Sequence, residues 1–291
     1  MSGLSDIPAA AAVASGETGT TLSGAGAAAR RGEARARRRR ESALVLACQI
    51  GILVVFVGAW EYVTSLSRQT AFLFGSPSAI FTFLVQMAGD GSLWRDTYVT
   101  GLETLLGFGL GNILGTLMGL SLWYSRFLSR VVQPFVVALG SIPIIALAPM
   151  VIIWFGTGLT SKVAMSTLSV VVVALVTSYK GAMSVDPDQV NLLRTLGARK
   201  SQIFTKLVVP SSLNDIFAGL KLTVGFALIG AIIGEFMSSS EGLGHAIFKA
   251  GSLYVIPKVF AALVATITLA LVLTWLVGRL ERLLKPWQKT R

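Results

Sequence analysis

The sequence predicts an all-α integral membrane protein with six transmembrane helices. Of its 291 residues, 53% are hydrophobic and only 13% are charged, and the mean hydropathy is +0.71. These values are typical of polytopic membrane proteins and exclude an ordinary soluble domain. A transmembrane helix needs roughly 20 mostly apolar residues. Six segments meet this requirement: 43–64, 98–122, 131–155, 163–179, 214–236 and 259–278.

The basic residues are distributed unevenly among the predicted loops. With the N-terminus placed in the cytoplasm, 20 of the 25 lysines and arginines lie on the cytoplasmic side. The five outer ones are Arg68, Arg95, Lys162, Lys249 and Lys258. This positive-inside pattern predicts a multi-pass membrane protein with both termini in the cytoplasm. It also explains the net charge of +11 without a nucleic-acid partner.

Residues 1–42 form an arginine-rich tail that we expect to be cytoplasmic and disordered, because it contains few large apolar residues. Its seven arginines end at Arg40, directly before the first span. We interpret them as a topogenic cluster that also contacts anionic membrane lipid. The Arg39-Arg40 pair also occurs in twin-arginine export signals. However, the apolar segment that follows is long enough to remain as an anchor and has no clear cleavage site.

The second predicted span contains a row of glycines, and the third contains two prolines. Four glycines from Gly107 to Gly119 recur every four residues, so they lie on one face where another helix can approach closely. We expect that helix to belong to the same chain, and a subunit interface is the alternative.

In the third span, Pro143 and Pro149 each remove a backbone hydrogen bond and bend or break the helix. The bend either serves packing alone or forms a broken helix along a transport path.

Glu235 lies at the predicted outer end of the fifth span. An ionisable residue in a span is a functional candidate, so Glu235 joins Pro143 and Pro149 as a residue of the path. The alternatives are a solvated interfacial carboxylate and a structural partner for Lys249.

The sequence has no Walker A, G-x-S-x-G or H-E-x-x-H motif, and only one histidine and one cysteine. We therefore expect no catalytic residue, metal site or cofactor in this chain.

Residues 186–210 form a polar stretch between the fourth and fifth spans. Asp186 is a plausible N-cap, Pro187 occupies the first helical position, and Gln189 has the spacing of a capping box. Gly197 is a natural helix stop. These residues predict a short helix at the membrane surface.

A second short helix is expected after the first, capped by Ser201 and ending before Pro210. In the first helix, Leu192, Leu193 and Leu196 are predicted to form one apolar face. That face either folds onto the protein's own bundle or docks into a groove on a soluble partner. A DNA-binding helix-turn-helix is a third possibility for this basic stretch.

The stretch resembles the EAA loop of the membrane subunits of bacterial binding-protein-dependent ABC importers. That pattern is Glu-Ala-Ala, three residues, Gly, nine residues, Ile, one residue and Leu-Pro. Gly197 and Pro210 are in register with it, and Leu207 and Val209 stand at its Ile and Leu positions. The residues at the Glu-Ala-Ala positions depart from the pattern: Asn191, Leu192 and Leu193.

Three further segments are similar to the nitrate/taurine/sulfonate branch of these importers. They are the Arg194–Ala198 sequence RTLGA, the proline-containing segment Ser141–Gly158, and residues 219–244. The resemblance covers roughly residues 94–284. It implies a type I ABC importer transmembrane domain there, with 186–210 as its cytoplasmic coupling loop. Residues 43–93 would then supply the first span and an extracytoplasmic segment, and residues 285–291 a C-terminal tail.

The resemblance also implies partners for the chain. They are a second permease subunit, expected to form a homodimer, ABC ATPase subunits that bind ATP-Mg, and an extracytoplasmic solute-binding protein. The residues implied to contact the ATPase lie in the first short helix and at its stop: Asp188, Leu192, Leu193, Arg194, Thr195, Leu196, Gly197 and Ala198.

The function implied is ATP-driven import of a small solute such as a sulfonate, taurine or nitrate. A thiamine-precursor pyrimidine or another small organic solute is the alternative within the same class. A stand-alone secondary transporter is the rival from a different class. It needs ionisable residues within the spans, which hold only four acids, all near span ends: Glu61, Glu103, Asp215 and Glu235. A scaffold without a pore would leave the prolines of the third span unexplained.

Overall fold

The computed structural model describes residues 19–284, and describes side chains between Glu41 and Leu283. The first 18 residues of the predicted tail and the predicted C-terminal tail at 285–291 lie outside the described residues. Between 19 and 284 the long regular elements are all helices. The described chain divides into two compact units, which meet in sequence at Val63 and Thr64.

Helix α1, Gly19–Ser65, contains the described residues of the first unit, which ends at Val63. Its part from Glu41 to Ser65 is long and apolar enough to cross a membrane, in agreement with the first predicted span. The helix begins at Gly19, within the tail that composition predicts to be disordered. The physical reason is local, because alanine and arginine dominate this stretch and both favour helix.

The second unit contains eleven further helices in the described chain. In order they are α2 Arg68–Phe74, α3 Pro77–Gly89, α4 Ser92–Ser121, α5 Arg126–Ser141, α6 Ile144–Phe155, α7 Leu159–Met183, α8 Pro187–Thr195, α9 Lys200–Ile203, α10 Val209–Ser238, α11 Leu243–Ser252 and α12 Ile256–Leu284. A 3₁₀ turn, Leu122–Tyr124, extends α4, and a π-helical turn, Phe204–Val208, joins α9 to α10. Helices α4, α7, α10 and α12 contain the second, fourth, fifth and sixth predicted spans, and each is long and apolar enough to cross a membrane.

The predicted third span, 131–155, consists of two helices. Helices α5 and α6 meet at an angle of 94°. The break falls at Pro143, which takes an extended conformation and serves as the N-cap of α6. Pro149 lies inside α6, which continues through it to Phe155. Only the first proline therefore breaks the helix, while the second is accommodated within it.

Helix α7 packs against α4 and α10 through glycines. A Cβ atom added to Gly107 of α4 would lie 2.2 Å from the Ser166 Cβ, and one added to Gly115 would lie 2.4 Å from the Val171 carbonyl oxygen. On α10, a Cβ atom at Gly230 would meet α7 at similarly short distances. The predicted glycine face thus receives a helix of the same chain, and a side chain at these positions would force the helices apart.

Candidate functional site

Helix α8 begins as the sequence predicts. The Asp186 side chain accepts a hydrogen bond from the Asp188 backbone N–H at 2.9 Å, and Pro187 occupies the first turn. Proline is favourable there because its missing N–H would have no partner within the helix. The cap is provided by Asp186 itself rather than by a capping box with Gln189.

Helix α8 also ends at the predicted residue. Gly197 has φ +79°, a left-handed conformation that glycine adopts without strain. Its N–H donates to the Arg194 carbonyl at 3.0 Å, and the Ala198 N–H donates to the Leu193 carbonyl at 2.9 Å. These two bonds form a Schellman motif, which satisfies the last carbonyls of the helix and reverses the chain.

The leucines of α8 do not share one face, which corrects the sequence-based expectation. Leu193 is half-buried and packs with Val190 against a core cluster of the second unit, made of Leu120, Ala182, Ile203 and Val208. Leu192 and Leu196 are 61% and 73% exposed. Consecutive residues of a helix are separated by about 100°, so Leu192 and Leu193 cannot point the same way. One leucine anchors the helix and two remain available to a partner.

The remaining residues expected to contact the ATPase lie on or beside this helix. Asp188, Arg194, Thr195 and Gly197 are exposed, whereas Ala198 is half-buried against the same core cluster as Leu193. The structure therefore keeps the predicted set together in one surface segment. Its exposed leucines and charged residues face away from the bundle, and Leu193 and Ala198 face toward it.

The second short helix differs from the prediction. Arg199, not Ser201, is its N-cap, and the Arg199 N–H donates to the Gln202 side-chain oxygen at 2.8 Å. The helix does not end before Pro210 but continues through the π-helical turn Phe204–Val208 into α10. Pro210 sits in the first turn after this wider segment, where a missing N–H is tolerated.

An aromatic cluster that the sequence analysis did not identify attaches α9 to the end of α4. The rings of Trp123 and Tyr124 have centroids 5.7 and 5.0 Å from that of Phe204. The Lys200 amino group lies 5.9 and 5.5 Å from the two ring centroids of Trp123 and Tyr124, and donates to the Tyr124 carbonyl oxygen. These contacts link α9 directly to the 3₁₀ turn that connects α4 to α5, so a displacement of α8 and α9 would also move that turn.

The broken pair α5–α6 places Pro143 and Pro149 on the surface of the single chain. Helix α6 is held by Ala148 and Val151, which pack against Met165 of α7. Helix α5 buries only one of its described side chains, Ser129, whose hydroxyl lies 2.5 Å from that of Tyr179. The break itself is exposed, since Ile142 retains 41% of its accessible surface.

Glu235 is buried, with 1% of its surface exposed, and lies in a hydrogen-bonded network rather than in an open path. The Thr100 hydroxyl donates to its Oε1 at 2.6 Å, and the Gly244 N–H donates to its Oε2. The Leu243 N–H in turn donates to the Thr100 hydroxyl at 2.8 Å. Glu235 thus fixes the loop before α11 to α4, and it does so instead of pairing with Lys249.

A second buried carboxyl group, Glu103, adjoins the first. It is 2% exposed, and within the described residues its Oε2 atom has no hydrogen-bond partner. Nearby, the Gly242 N–H donates to the Asp96 carboxylate at 3.1 Å. The buried Lys162 donates to the Thr157 carbonyl at 2.9 Å. The hydrogen bonds of the network therefore join α4, α10 and the segment Gly242–Gly244.

Two glycines are required by the network: Gly242 in the loop before α11 and Gly244 in the first turn of α11. A Cβ atom at Gly242 would lie 2.3 Å from the Glu235 Oε1, and one at Gly244 would lie 2.6 Å from its Oε2. Gly242 also has φ +106°, which side chains other than glycine rarely adopt. Sequence analysis identified Glu235 but not its hydrogen-bond partners. One of them, Thr100, is 135 residues away in the sequence.

A family model described as "Binding-protein-dependent transport system inner membrane component" matches residues 111–286, more than half of the chain. The chain belongs to this family. The permease is 36% identical over 184 residues to the formylaminopyrimidine transport permease protein ThiX of Halalkalibacterium halodurans, covering 63% of this chain and 74% of that protein. It is 33% identical over 246 residues to the riboflavin transport system permease protein RibX of Chloroflexus aurantiacus, covering 84% and 91%.

The permease is also 26% identical over 236 residues to the putative aliphatic sulfonates transport permease protein SsuC of Bacillus subtilis, covering 81% and 86%. Among solved structures it is similar to a chain of the MetNI methionine ABC transporter in an inward-facing conformation. That match has a TM-score of 0.60 at 20% identity and covers 67% of this chain and 97% of the other. These findings confirm a multi-pass ABC importer permease with the type I membrane-domain fold, a transport subunit rather than an enzyme.

Proposed function

We propose that the permease forms a homodimer in the plasma (inner) membrane, with both termini cytoplasmic, and imports a small solute. An extracytoplasmic binding protein delivers the solute, and separate ABC ATPase subunits bind and hydrolyse ATP-Mg. The observation that carries the proposal is that helix α8 has one side packed on the bundle and an opposite side exposed. Val190 and Leu193 attach it to the bundle, while Leu192 and Leu196 are exposed for a partner.

The exposed side of α8 has the chemistry of a helix that docks into a groove. Leu192 and Leu196 are one turn apart, so both can enter a single apolar pocket. Burying each leucine would contribute about 1.5–3 kcal/mol to binding. Movement of the ATPase subunits would then be transmitted through Leu193 to the core cluster and through Lys200 to the end of α4.

The break between α5 and α6 supports the placement of the path and of the second subunit. Non-helical backbone at membrane depth is tolerated only where protein covers it or where it lines a water-filled cavity. Ile142 and Pro143 are exposed in the single chain. We therefore place the solute path and the second permease subunit at this break, with Pro149 on the adjoining helix.

Two solute classes remain candidates. The resemblance of the coupling loop to the sulfonate and taurine branch favours a small oxyanion such as a sulfonate, taurine or nitrate. The overall identity favours a heterocycle instead, since the relatives named for formylaminopyrimidine and riboflavin transport are 36% and 33% identical, against 26% for the aliphatic sulfonate relative. Co-purification of the binding protein with the permease, followed by mass spectrometry of its bound ligand, decides between them.

Reconstitution in liposomes tests the mechanism. With ATPase subunits and binding protein present, we expect solute uptake that depends on ATP and is abolished by Leu196→Glu. The matched control is Leu283→Glu, an equally exposed leucine at the end of α12 that lies outside the coupling segment. Uptake by the permease alone would support the stand-alone secondary transporter, and undiminished uptake by Leu196→Glu would contradict docking through α8.

A further inference from the structure

A cavity of about 430 Å³ opens between α3, α4, α11 and the start of α12. Its lining includes four basic side chains: Arg95, His245, Lys249 and Lys258. Three of them are among the five cations that the positive-inside distribution places outside, and the fourth is the chain's only histidine. In the proposed orientation the cavity therefore faces the exterior, and it concentrates most of the positive charge on that side.

Only part of this charge is balanced nearby: Asp90 lies close enough to Lys258 and Arg95 to interact electrostatically with both. Within the part of the chain whose side chains are described, no carboxylate oxygen lies within 4.0 Å of the amino nitrogen of Lys249 or Lys258. Arg95 is 3.6 Å from Glu241, so its charge is partly balanced. The one acidic residue of the lining, Asp96, already accepts the Gly242 N–H. The lining itself carries three cations, Arg95, Lys249 and Lys258, against one carboxylate, which gives the concave site a positive potential.

The rest of the lining is mostly apolar. Met87 is 2% exposed and Ala250 is 3% exposed, and both contribute to the wall beneath the basic residues. A volume of this size falls within the range of small-molecule sites, which combine an apolar wall with a few placed polar groups. The combination fits a molecule with an anionic head and a short hydrocarbon tail.

We propose that this cavity binds a small amphipathic anion at the outer surface of each subunit. Lys249 and Lys258 hold its sulfonate, carboxylate or phosphate group by charge-assisted hydrogen bonds, and its hydrocarbon lies along Met87 and Ala250. The site is separate from the path proposed at the break between α5 and α6. It does not depend on which solute the permease imports. Its occupant is either a soluble organic anion or the head of an anionic lipid.

Calorimetric titration of the purified full-length permease in phosphatidylcholine nanodiscs tests the site, with hexanesulfonate as the probe. We expect saturable binding that hexanol, its uncharged counterpart, does not reproduce. The double variant Lys249→Gln/Lys258→Gln should bind hexanesulfonate about tenfold more weakly. Arg68→Gln, which removes an outer cation that does not line the cavity, should bind as the wild type does.

Equal affinity of the double variant and the wild type would overturn the proposal, as would equally tight binding of hexanol. Thermal unfolding of the variants verifies that they are folded. Adding phosphatidylglycerol to the nanodiscs identifies the occupant: competition with hexanesulfonate in the wild type assigns the site to a lipid head, and no competition assigns it to a soluble anion. Because no ATPase or binding protein is present, failure of this assay leaves the proposed import function standing, and failure of ATP-dependent uptake leaves the anion site standing.

Discussion

The coupling segment around α8 and the buried network around Glu235 are built in opposite ways. Helix α8 is defined by residues a few positions apart, namely an aspartate cap at Asp186 and a glycine stop at Gly197, and it exposes two of its leucines. The network is defined by residues far apart in sequence, and it buries two carboxyl groups almost completely. These two buried carboxyl groups belong to Glu103 and Glu235.

This difference in construction matches two different roles: α8 docks on a partner protein, and the network around Glu235 holds the helices of the bundle together. A surface that meets a separate protein must expose apolar side chains and keep its shape with few contacts, which caps and turns achieve locally. A cluster of ionisable groups within a membrane bundle must satisfy its polar atoms internally, and only several helices together can do so. We therefore expect substitutions in the network to affect folding first, and substitutions on α8 to affect transport first.

The largest effect on stability is expected from Gly242→Val. A side chain at this position would collide with the Glu235 carboxylate and would strain a backbone with φ +106°. We expect a loss of about 3 kcal/mol or more in the free energy of unfolding, from strain and overpacking together. Thermal unfolding in detergent measures it. Gly225→Ala on α10 is the control, because its added Cβ has no atom within 4 Å, and a similar loss there would remove the assigned cause.

A smaller effect should separate the two buried acids. Glu235 accepts from Thr100 and Gly244, and an amide at this position would lose one acceptor oxygen. We expect Glu235→Gln to cost about 1–3 kcal/mol of unfolding free energy, the cost of a buried group left without its partner. Glu103→Gln should cost less, since the Glu103 Oε2 atom has no hydrogen-bond partner to lose. The reverse order in thermal unfolding would contradict the greater structural role assigned to Glu235.

The two neighbouring leucines of α8 should respond differently to the same change. Leu193→Ala removes core contacts and should destabilise the permease by about 1–2 kcal/mol, because the side chain is only half-buried. Leu192→Ala should leave the unfolding temperature unchanged, since 61% of the side chain is exposed, and should weaken ATP-dependent uptake. Unfolding and uptake measured on both variants test this, and equal losses of stability would show that α8 has no free side.

The smallest expected effect concerns the contact of α9 with α4. Lys200→Gln removes the ammonium group that lies over Trp123 and Tyr124 and should cost about 0.5–1 kcal/mol of unfolding free energy, as for an exposed cation–π contact. Lys206→Gln, in the adjoining π-helical turn, is the matched control and should be neutral. No difference between the two variants in thermal unfolding would mean that the aromatic cluster holds α9 without the lysine.

The sequence determined most of the fold and part of the site. Apolar length located the spans, and local cap chemistry located both ends of α8. The continuity of α9 with α10 was missed because a π-helical turn before Pro210 has no simple residue signature. The partners of Glu235 were missed because the pairing with Thr100 depends on how α4 and α10 pack. The opposite directions of Leu192 and Leu193 could have been read from helical geometry alone.

Cysteine cross-linking in membrane vesicles tests the docking of α8 most directly. Cys48 is the only cysteine, so Cys48→Ser gives a background in which Leu196→Cys or Leu193→Cys supplies the single thiol. We predict that a thiol at 196 is labelled by a membrane-impermeant maleimide only from the cytoplasmic side and cross-links to the ATPase subunit, whereas a thiol at 193 does not cross-link. Labelling of position 196 from the outside, or equal cross-linking at both positions, would contradict the account.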